Sequence, residues 1–363
     1  MPNASTSIDM AATGLLSSVL RCPKCAGPLS APSGGLLSSF CGWNRAPEAG
    51  IWKIERDSSY YFGDDRASIR ALLDTAESGG VSFPAIMSSD LLSRGDLGSD
   101  YATGWNRADI LQWLDLDNKT VVDFGCGWGT YAIPAAFRAD GVVAVDRTFE
   151  RLRLLSMRVR NEKLTNVAIV HGDVQKLRWM VHSFDVALVI GLLEWLPTGL
   201  ATNPRSVQVG FLKRIFDGMK SGGSLLLGIE NRLNPFYFLG HTDHGELPFA
   251  PLLPRPLADI LTRCLKHHRF THFLYTRVGY RRLLKEAGFT GVRFVYPIPS
   301  YKQTVFLASS LAPETVGKYL REHYVQSSLR LGRRLEWRAL KAAMRLRAAE
   351  VFLPTYYILG LKK

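Results

Sequence analysis

The densest chemistry in the chain lies in Val121-Val122-Asp123-Phe124-Gly125-Cys126-Gly127-Trp128-Gly129-Thr130. A β-branched run feeds three alternating glycines, and helix-forming residues follow at once. Glycines let the backbone turn tightly and approach a ligand where a Cβ would clash. The start of the next helix adds unpaired N–H groups facing that ligand. Such a turn reads as nucleotide binding, but by itself it does not choose among nucleotides. The acidic residues sharpen the reading. Asp123 precedes the first glycine by two positions, where it can accept from a cationic amino group and would repel a pyrophosphate. Asp146 closes Val142-Val143-Ala144-Val145-Asp146, about 20 residues past the turn, and is placed for ribose hydroxyls. Asp173 closes a third run and can accept from an adenine amine. Three acidic strand ends in succession line the carboxyl edge of a sheet, where open α/β folds bind ligands.

A second cluster is thiol-based. Cys22-x2-Cys25 with Cys41 has the spacing of part of a zinc ribbon, and Ser38 stands where a fourth ligand is expected. The segment 1–55 therefore reads as a degenerate zinc ribbon with Cys22, Cys25 and Cys41 as candidate ligands and the fourth missing. Cys126 reads as a small packing residue, and Cys264 carries no signal. Lys266-His267-His268-Arg269, with His272 close behind, reads as a solvated basic helix rather than a metal or phosphate site. The 5 cysteines form no even framework, which fits a reducing compartment. The apolar run Val186–Leu193 stops at Glu194, well short of the ~18–20 residues that span a bilayer. A cytoplasmic protein is expected, with contact to the inner face of the membrane as a further possibility.

These groups need a scaffold. At 363 residues, 47% hydrophobic and 21% charged, the chain can bury a full core, which excludes disordered, coiled-coil and collagen-like classes. Short β-branched runs alternate with helical segments between 119 and 310, the pattern of βαβ units and a parallel sheet. Strands are expected at Thr120–Phe124, Gly141–Val145, Val167–Val170, Phe184–Ile190, Ser224–Ile229 and Val292–Tyr296. Helices are expected at 129–138, 148–163, 205–219 and 278–287. The second of these has an apolar stripe under a basic outer face of Arg151, Arg153, Arg158 and Arg160. Thr276 is the expected N-cap of the last helix, and Gly288 its C-terminal stop. Residues 56–118 read as a helical linker or cap. Residues 311–363 read as a basic helical extension with a possible closing strand at Tyr356–Leu361. The net charge is +13, with more than half of the excess in 311–363. Such a field attracts nucleic acids, anionic lipid headgroups or diphosphates without choosing among them.

Asp123-x-Gly125-x-Gly127-x-Gly129, Asp146, Asp173, Phe184–Gly191 and Met219–Leu225 together resemble class I S-adenosylmethionine-dependent methyltransferases over about 119–230. The resemblance implies a Rossmann-like, doubly wound sheet of seven strands with the last one antiparallel. It implies donor contacts from Asp123, Gly125, Cys126, Gly127 and Gly129 in the turn. Asp146 with Arg147, Asp173 with Val174, and Gly191 with Glu194 complete that set. A narrower similarity, in Gly228–Leu233, His241–Gly245 and Tyr296–Lys302, is to methyltransferases of bacterial polysaccharide and glycan biosynthesis. Thr242 and Ser300 stand where that group has acidic residues.

An alcohol acceptor needs a base and an aligned displacement. His244 is the expected base. Asp243 or Glu230 would orient it or bind a sugar hydroxyl, and Glu194 would meet the acceptor or the donor. Asn234-Pro235-Phe236-Tyr237 resembles the signature of amine methylation, but it follows the fifth strand rather than the fourth, which argues against that chemistry. The expected function is O-methylation of a sugar, glycan precursor or related small molecule. The alternatives are an RNA methyltransferase, although nucleic acid is the less expected partner, and a catalytically silent donor-binding partner protein.

Overall fold

The computed structural model describes residues 4–32, 35–54, 66–89, 104–200, 202–238, 240–242, 247–309 and 349–363, with backbone alone at 4–9. Two compact units emerge. One comprises Met1–Ile190, Lys213–Leu226 and Leu361–Lys363, the other Gly191–Leu212 and Leu227–Gly360. Of the expected basic helices of 311–350, residues 311–348 lie outside the described residues.

The first unit begins with helix α1 (Ala4–Val19) and the short strands β1 (Leu36–Leu37), β2 (Asn44–Arg45) and β3 (Ile51–Lys53). Helices α2 (Arg66–Glu77) and α3 (Phe83–Met87) follow. The alternating core then runs β4 (Thr120–Phe124), α4 (Ala132–Ala136), β5 (Gly141–Asp146), α5 (Phe149–Asn161), β6 (Val167–His171) and β7 (Phe184–Ile190). Strand order is β7-β4-β5-β6-β3, and every pairing within it is parallel; β8 (Met219–Glu230) comes after β7 in the chain. Val121, Val122, Phe124 and Val142 to Val145 are wholly buried, as expected of parallel strands covered on both faces. The observed limits of β4 and β7 coincide with the expected ones. Helix α4 is shorter than expected because the glycine turn keeps positive φ as far as Gly129, at +82°.

The outer face of α5 differs from expectation. Arg158 is 4% exposed, and its Nη1 donates to Trp128 O at 2.6 Å. Burial pulls its guanidinium down to about 10. Helix α2 covers the rest of that face. Arg153 binds Asp74 and Glu77, each at 2.7 Å, while Arg66 and Arg70 converge on the buried Glu150 of α5 at 2.8 and 2.6 Å. Arg153 thus fastens α5 to α2 and Arg158 is buried against the glycine turn, whereas Arg160 stays exposed as expected.

In the second unit the chain forms α7 (Pro235–Phe238), α8 (Arg255–Lys266), α9 (Arg277–Glu286), β9 (Thr290–Ser300), β10 (Gln303–Ala308) and β11 (Thr355–Leu361), with α6 (Pro204–Gly218) contributing to both units. Strand order here is β10-β9-β11-β8. Strands β9 and β10 form an antiparallel hairpin closed by Tyr301-Lys302, with Gln303 opposite Ser300. The Thr276 hydroxyl caps α9 by accepting from Gly279 N at 3.2 Å, and Gly288 beyond its end takes φ +106°. Tyr280, Tyr356, Tyr357 and Ile358 are wholly buried.

The architecture is a Rossmann-like α/β fold with a large mixed sheet. The expected seven strands become nine, because β3 pairs with β6 and β10 pairs with β9. Segment 1–55 is therefore more than a zinc-ribbon-like appendage, since it supplies an edge strand. Helix α1 packs on the same sheet, where a Cβ at Gly141 would lie 2.9 Å from Leu15 Cδ2.

Candidate active site

The glycine turn is built from backbone pairing. Gly125 N and Cys126 N both donate to Val145 O, at 2.8 and 2.9 Å, so the turn is pinned to the end of β5. Asp146 Oδ2 accepts from Gly127 N at 2.9 Å, and its Oδ1 from Thr148 N at 2.8 Å. Gly129 must lack a side chain, because its Cβ would lie 2.3 Å from Leu155 Cδ1. Gly127, at φ +53°, has nothing within 4 Å of the place a Cβ would occupy. That open space beside the turn's backbone leaves room for a ligand to approach it closely.

Asp123 is the most unusual group in this unit. It is 2% exposed, and its Oδ2 has no hydrogen-bond partner. Burial first, then the nearby Asp146 charge, push its carboxyl up to about 8. An orphaned acid beside an open glycine cradle fits a donor that brings a cationic amine. Asp173 accepts from Gln175 N at 2.9 Å, and Val174 is buried beside it. Arg147 is half-buried, and its carbonyl lies 3.0 Å from His171 Nε2. Burial pushes the Cys126 thiol well up, so it is a packing group and not a nucleophile.

A second polar cluster lies wholly in the other unit. Glu230, at the end of β8, is 6% exposed. Its carboxylate pairs with Lys302 Nζ, accepts from Tyr237 OH at 3.3 Å and faces His272 Nε2 at 3.4 Å. Glu194 is buried too, rather than a solvated loop carboxylate. Burial pushes it up to about 7, His272 opposes that rise, and the Glu230 charge adds to it. Buried Gln208 holds these loops together through Nε2, which donates to Leu193 O at 2.9 Å and Phe273 O at 3.0 Å. Gly191, at φ +63°, approaches Tyr301, whose OH would lie 3.3 Å from an added Cβ.

Glu230 and Lys302 open onto a cavity of about 350 Å³ whose other walls include Asn234, Phe236, Tyr237, His241, Thr242, Ser300 and Thr355. Residues from all three of the later sequence motifs thus line one space. Asp243 and His244 lie outside the described residues. Asn234 is occupied in capping α7, its Oδ1 accepting from Phe236 N at 3.1 Å. His272 was not singled out by the sequence as part of this site. It is 1% exposed and packs against Trp195, with ring centroids 5.2 Å apart, whereas His267 and His268 are exposed. The alternation of buried Phe270, His272 and Leu274 with less buried neighbours is the signal that marks it. In the first unit, the thiols of Cys22, Cys25 and Cys41 lie within 4.8 Å of one another, as a metal site would require.

Residues 121–223 match the family described as a methyltransferase domain. Among curated proteins, the chain is similar to a probable ribosomal RNA small subunit methyltransferase A of Methanosphaera stadtmanae, 35% identical over 69 residues, or 19% of this chain and 26% of that protein. It is also similar to the 23S rRNA (uracil(1939)-C(5))-methyltransferase of an Enterobacter strain, 31% identical over 87 residues, or 23% of this chain and 20% of that one. The chain thus spans about a quarter or less of these relatives. Among solved structures, it is similar to Haemonchus contortus phosphoethanolamine N-methyltransferase 2 in complex with S-adenosyl-L-methionine, with a TM-score of 0.45 at 16% identity, covering 80% of this chain and 60% of that one. A putative S-adenosylmethionine-dependent methyltransferase from Listeria monocytogenes gives a TM-score of 0.43 at 16% identity, covering 71% and 98%. The methyltransferase reading of the glycine turn and the acidic strand ends is borne out over residues 121–223, which match a methyltransferase domain.

Proposed function

We propose that the chain methylates a hydroxyl oxygen of a sugar, glycan precursor or related small molecule held in the cavity of the second unit. The observation that carries this reading is the composition of that cavity. Aromatic faces from Phe236 and Tyr237 stand beside the hydroxyls of Thr242, Ser300 and Thr355, with the Glu230 carboxylate and the Lys302 ammonium among them. Flat apolar surface combined with a few fixed polar groups suits a polyhydroxylated ring.

When bound, S-adenosylmethionine supplies an electrophilic methyl group on its sulfonium. Asp123 would hold its amino group, Asp146 its ribose hydroxyls and Asp173 its adenine amine, with Gly125, Gly127 and Gly129 giving the backbone room. Glu230 binds the acceptor hydroxyl and orients its lone pair. His272 and Lys302 hold the Glu230 carboxyl group in place. His244, two positions beyond Thr242 in the chain, takes the hydroxyl proton. The basic segment 311–363 would meet a diphosphate on the acceptor or an anionic membrane surface. No helix among the described residues is long and apolar enough to cross a membrane.

A calorimetric titration with S-adenosylmethionine should give micromolar binding that Asp146→Ala weakens. Methyl-labelled donor should then pass label to nucleotide sugars or glycans. Glu230→Gln should cut turnover by roughly 100-fold with donor affinity unchanged. Unimpaired turnover in that variant would remove Glu230 from the site. A second reading, RNA as acceptor, is favoured by the names of the curated relatives and by the pI of 9.6. It requires RNA binding that falls steeply with salt and label transferred to RNA while sugars stay unlabelled.

A further inference from the structure

Two turns in the N-terminal segment are built alike. In the first, Cys22 N donates to Gly27 O at 2.8 Å and Ala26 N to Cys22 O at 2.9 Å, with Ala26 at φ +60°. In the second, Ser38 N donates to Trp43 O at 2.8 Å and Gly42 N to Ser38 O at 2.9 Å, with Gly42 at φ +67°. Ser38 therefore holds in the second turn the place that Cys22 holds in the first, and Cys41 matches Cys25. The side chains meet across the turns. Cys22 Sγ lies 3.6 Å from Cys41 Sγ, and Cys25 Sγ lies 3.3 Å from Ser38 Oγ. All three thiols are free.

A tetrahedral ion with Zn–S near ~2.3 Å and Zn–O near ~2.0 Å places sulfurs about 3.8 Å apart and a sulfur and an oxygen about 3.5 Å apart. The Cys22–Cys41 and Cys25–Ser38 separations sit within a few tenths of an ångström of these values, and all three sulfurs lie within 4.8 Å of one another. We propose that Cys22, Cys25, Cys41 and the Ser38 hydroxyl bind one zinc ion, with Ser38 Oγ as the fourth ligand that the cysteine spacing leaves open. Ser38 is wholly buried, so its hydroxyl is withheld from bulk water and directed at the thiols. Binding releases the thiol protons. The ion would join the turn that follows α1 to the turn that precedes β3, and so has a structural role. It is independent of the methyl-transfer reading.

The test uses the full chain purified under reducing conditions, with zinc measured by elemental analysis and affinity by competition with a chromogenic chelator. One zinc per chain is expected, together with a tetrahedral visible spectrum after cobalt replacement. Cys25→Ala, at an exposed position where packing is undisturbed, should lose the ion. Ser38→Cys should bind at least about tenfold tighter and strengthen the sulfur-to-cobalt charge-transfer band, and Ser38→Ala should bind at least about tenfold more weakly. Absence of zinc after reconstitution would overturn the site. Unchanged affinity in Ser38→Ala would give the fourth position to water and overturn the role of Ser38. A loss of two titratable thiols in the unreduced, denatured chain would replace the ion with a Cys22–Cys41 cross-link.

Discussion

Replacing Asp123 by asparagine removes a charge that the fold opposes. Raised from 3.8 to about 8 by burial and by Asp146, the carboxyl keeps its proton in the folded chain over a range where the unfolded chain has lost it. The stability linked to that proton is fully present below about pH 4 and is lost as the pH climbs toward 8. Each pH unit in that window costs about 1.4 kcal/mol, so by pH 7 the loss is about 4 kcal/mol. Asparagine has the same shape and cannot ionise. Asp123→Asn should therefore match the parent chain near pH 4 and exceed it by about 4 kcal/mol at pH 7, or roughly 8 °C in Tm at ~2 °C per kcal/mol. Thermal melts followed by circular dichroism at four pH values, without donor, measure this. A Tm difference that stays constant with pH would refute the reasoning. In the proposed donor pose, binding of the amine drives the Asp123 proton off below pH 8. The calorimetric enthalpy should then scale with the ionisation heat of the buffer in the parent chain, while the asparagine variant loses both that dependence and most of its affinity.

Two neighbouring glycines should respond in opposite ways. Gly129→Ala, with its Cβ forced against Leu155 at φ +82°, should cost about 2–4 kcal/mol in melts. Gly127→Ala, which meets open space, should cost only about 1 kcal/mol yet lower donor affinity by about tenfold or more. Equal destabilisation of the two would contradict the packing described. Glu150→Ala should cost about 2 kcal/mol and expose α2 to limited proteolysis. Burial pushes Glu150 up, but the hydrogen bonds from Arg66 and Arg70 outweigh it and hold the carboxyl below its ordinary value. Its contribution is thus present above the ordinary carboxylate range and is lost on acidification through the folded value, so the parent and variant melts should converge at low pH.

The parallel strands were legible because burial on both faces leaves continuous β-branched runs, as in Val142–Val145 and Val186–Ile190. The glycine turn was legible because its backbone geometry demands particular residue types. Strand β3 was not, since Ile51-Trp52-Lys53 is too short to show a period, and its identity depends on the open edge of β6. His272 was obscured by the basic run before it. The chain turns at His267, in the left-handed region at φ +61°, and only then begins to bury alternate residues. Arg158 reads as polar surface in any helical projection, and it is buried where it reaches the carbonyl of Trp128 in the glycine turn. The three later motifs were each visible as strings, but that they share a cavity is a property of the tertiary fold.

The pairing of Ile51 with Ile169 bears on synthesis as well as on the finished fold. More than a hundred residues separate the partners, so at about 5–20 residues per second a ribosome needs roughly 6–24 s to deliver β6 after β3 has emerged. During that interval Trp52, buried to 1% exposure in the folded chain, has no strand to cover it. A ligand ion gripping the two neighbouring turns would hold the nascent segment together before the sheet exists. Conversely, a chain shortened past residue 53 would leave the outer edge of β6 with unpaired N–H and C=O groups, open to pairing with a second molecule.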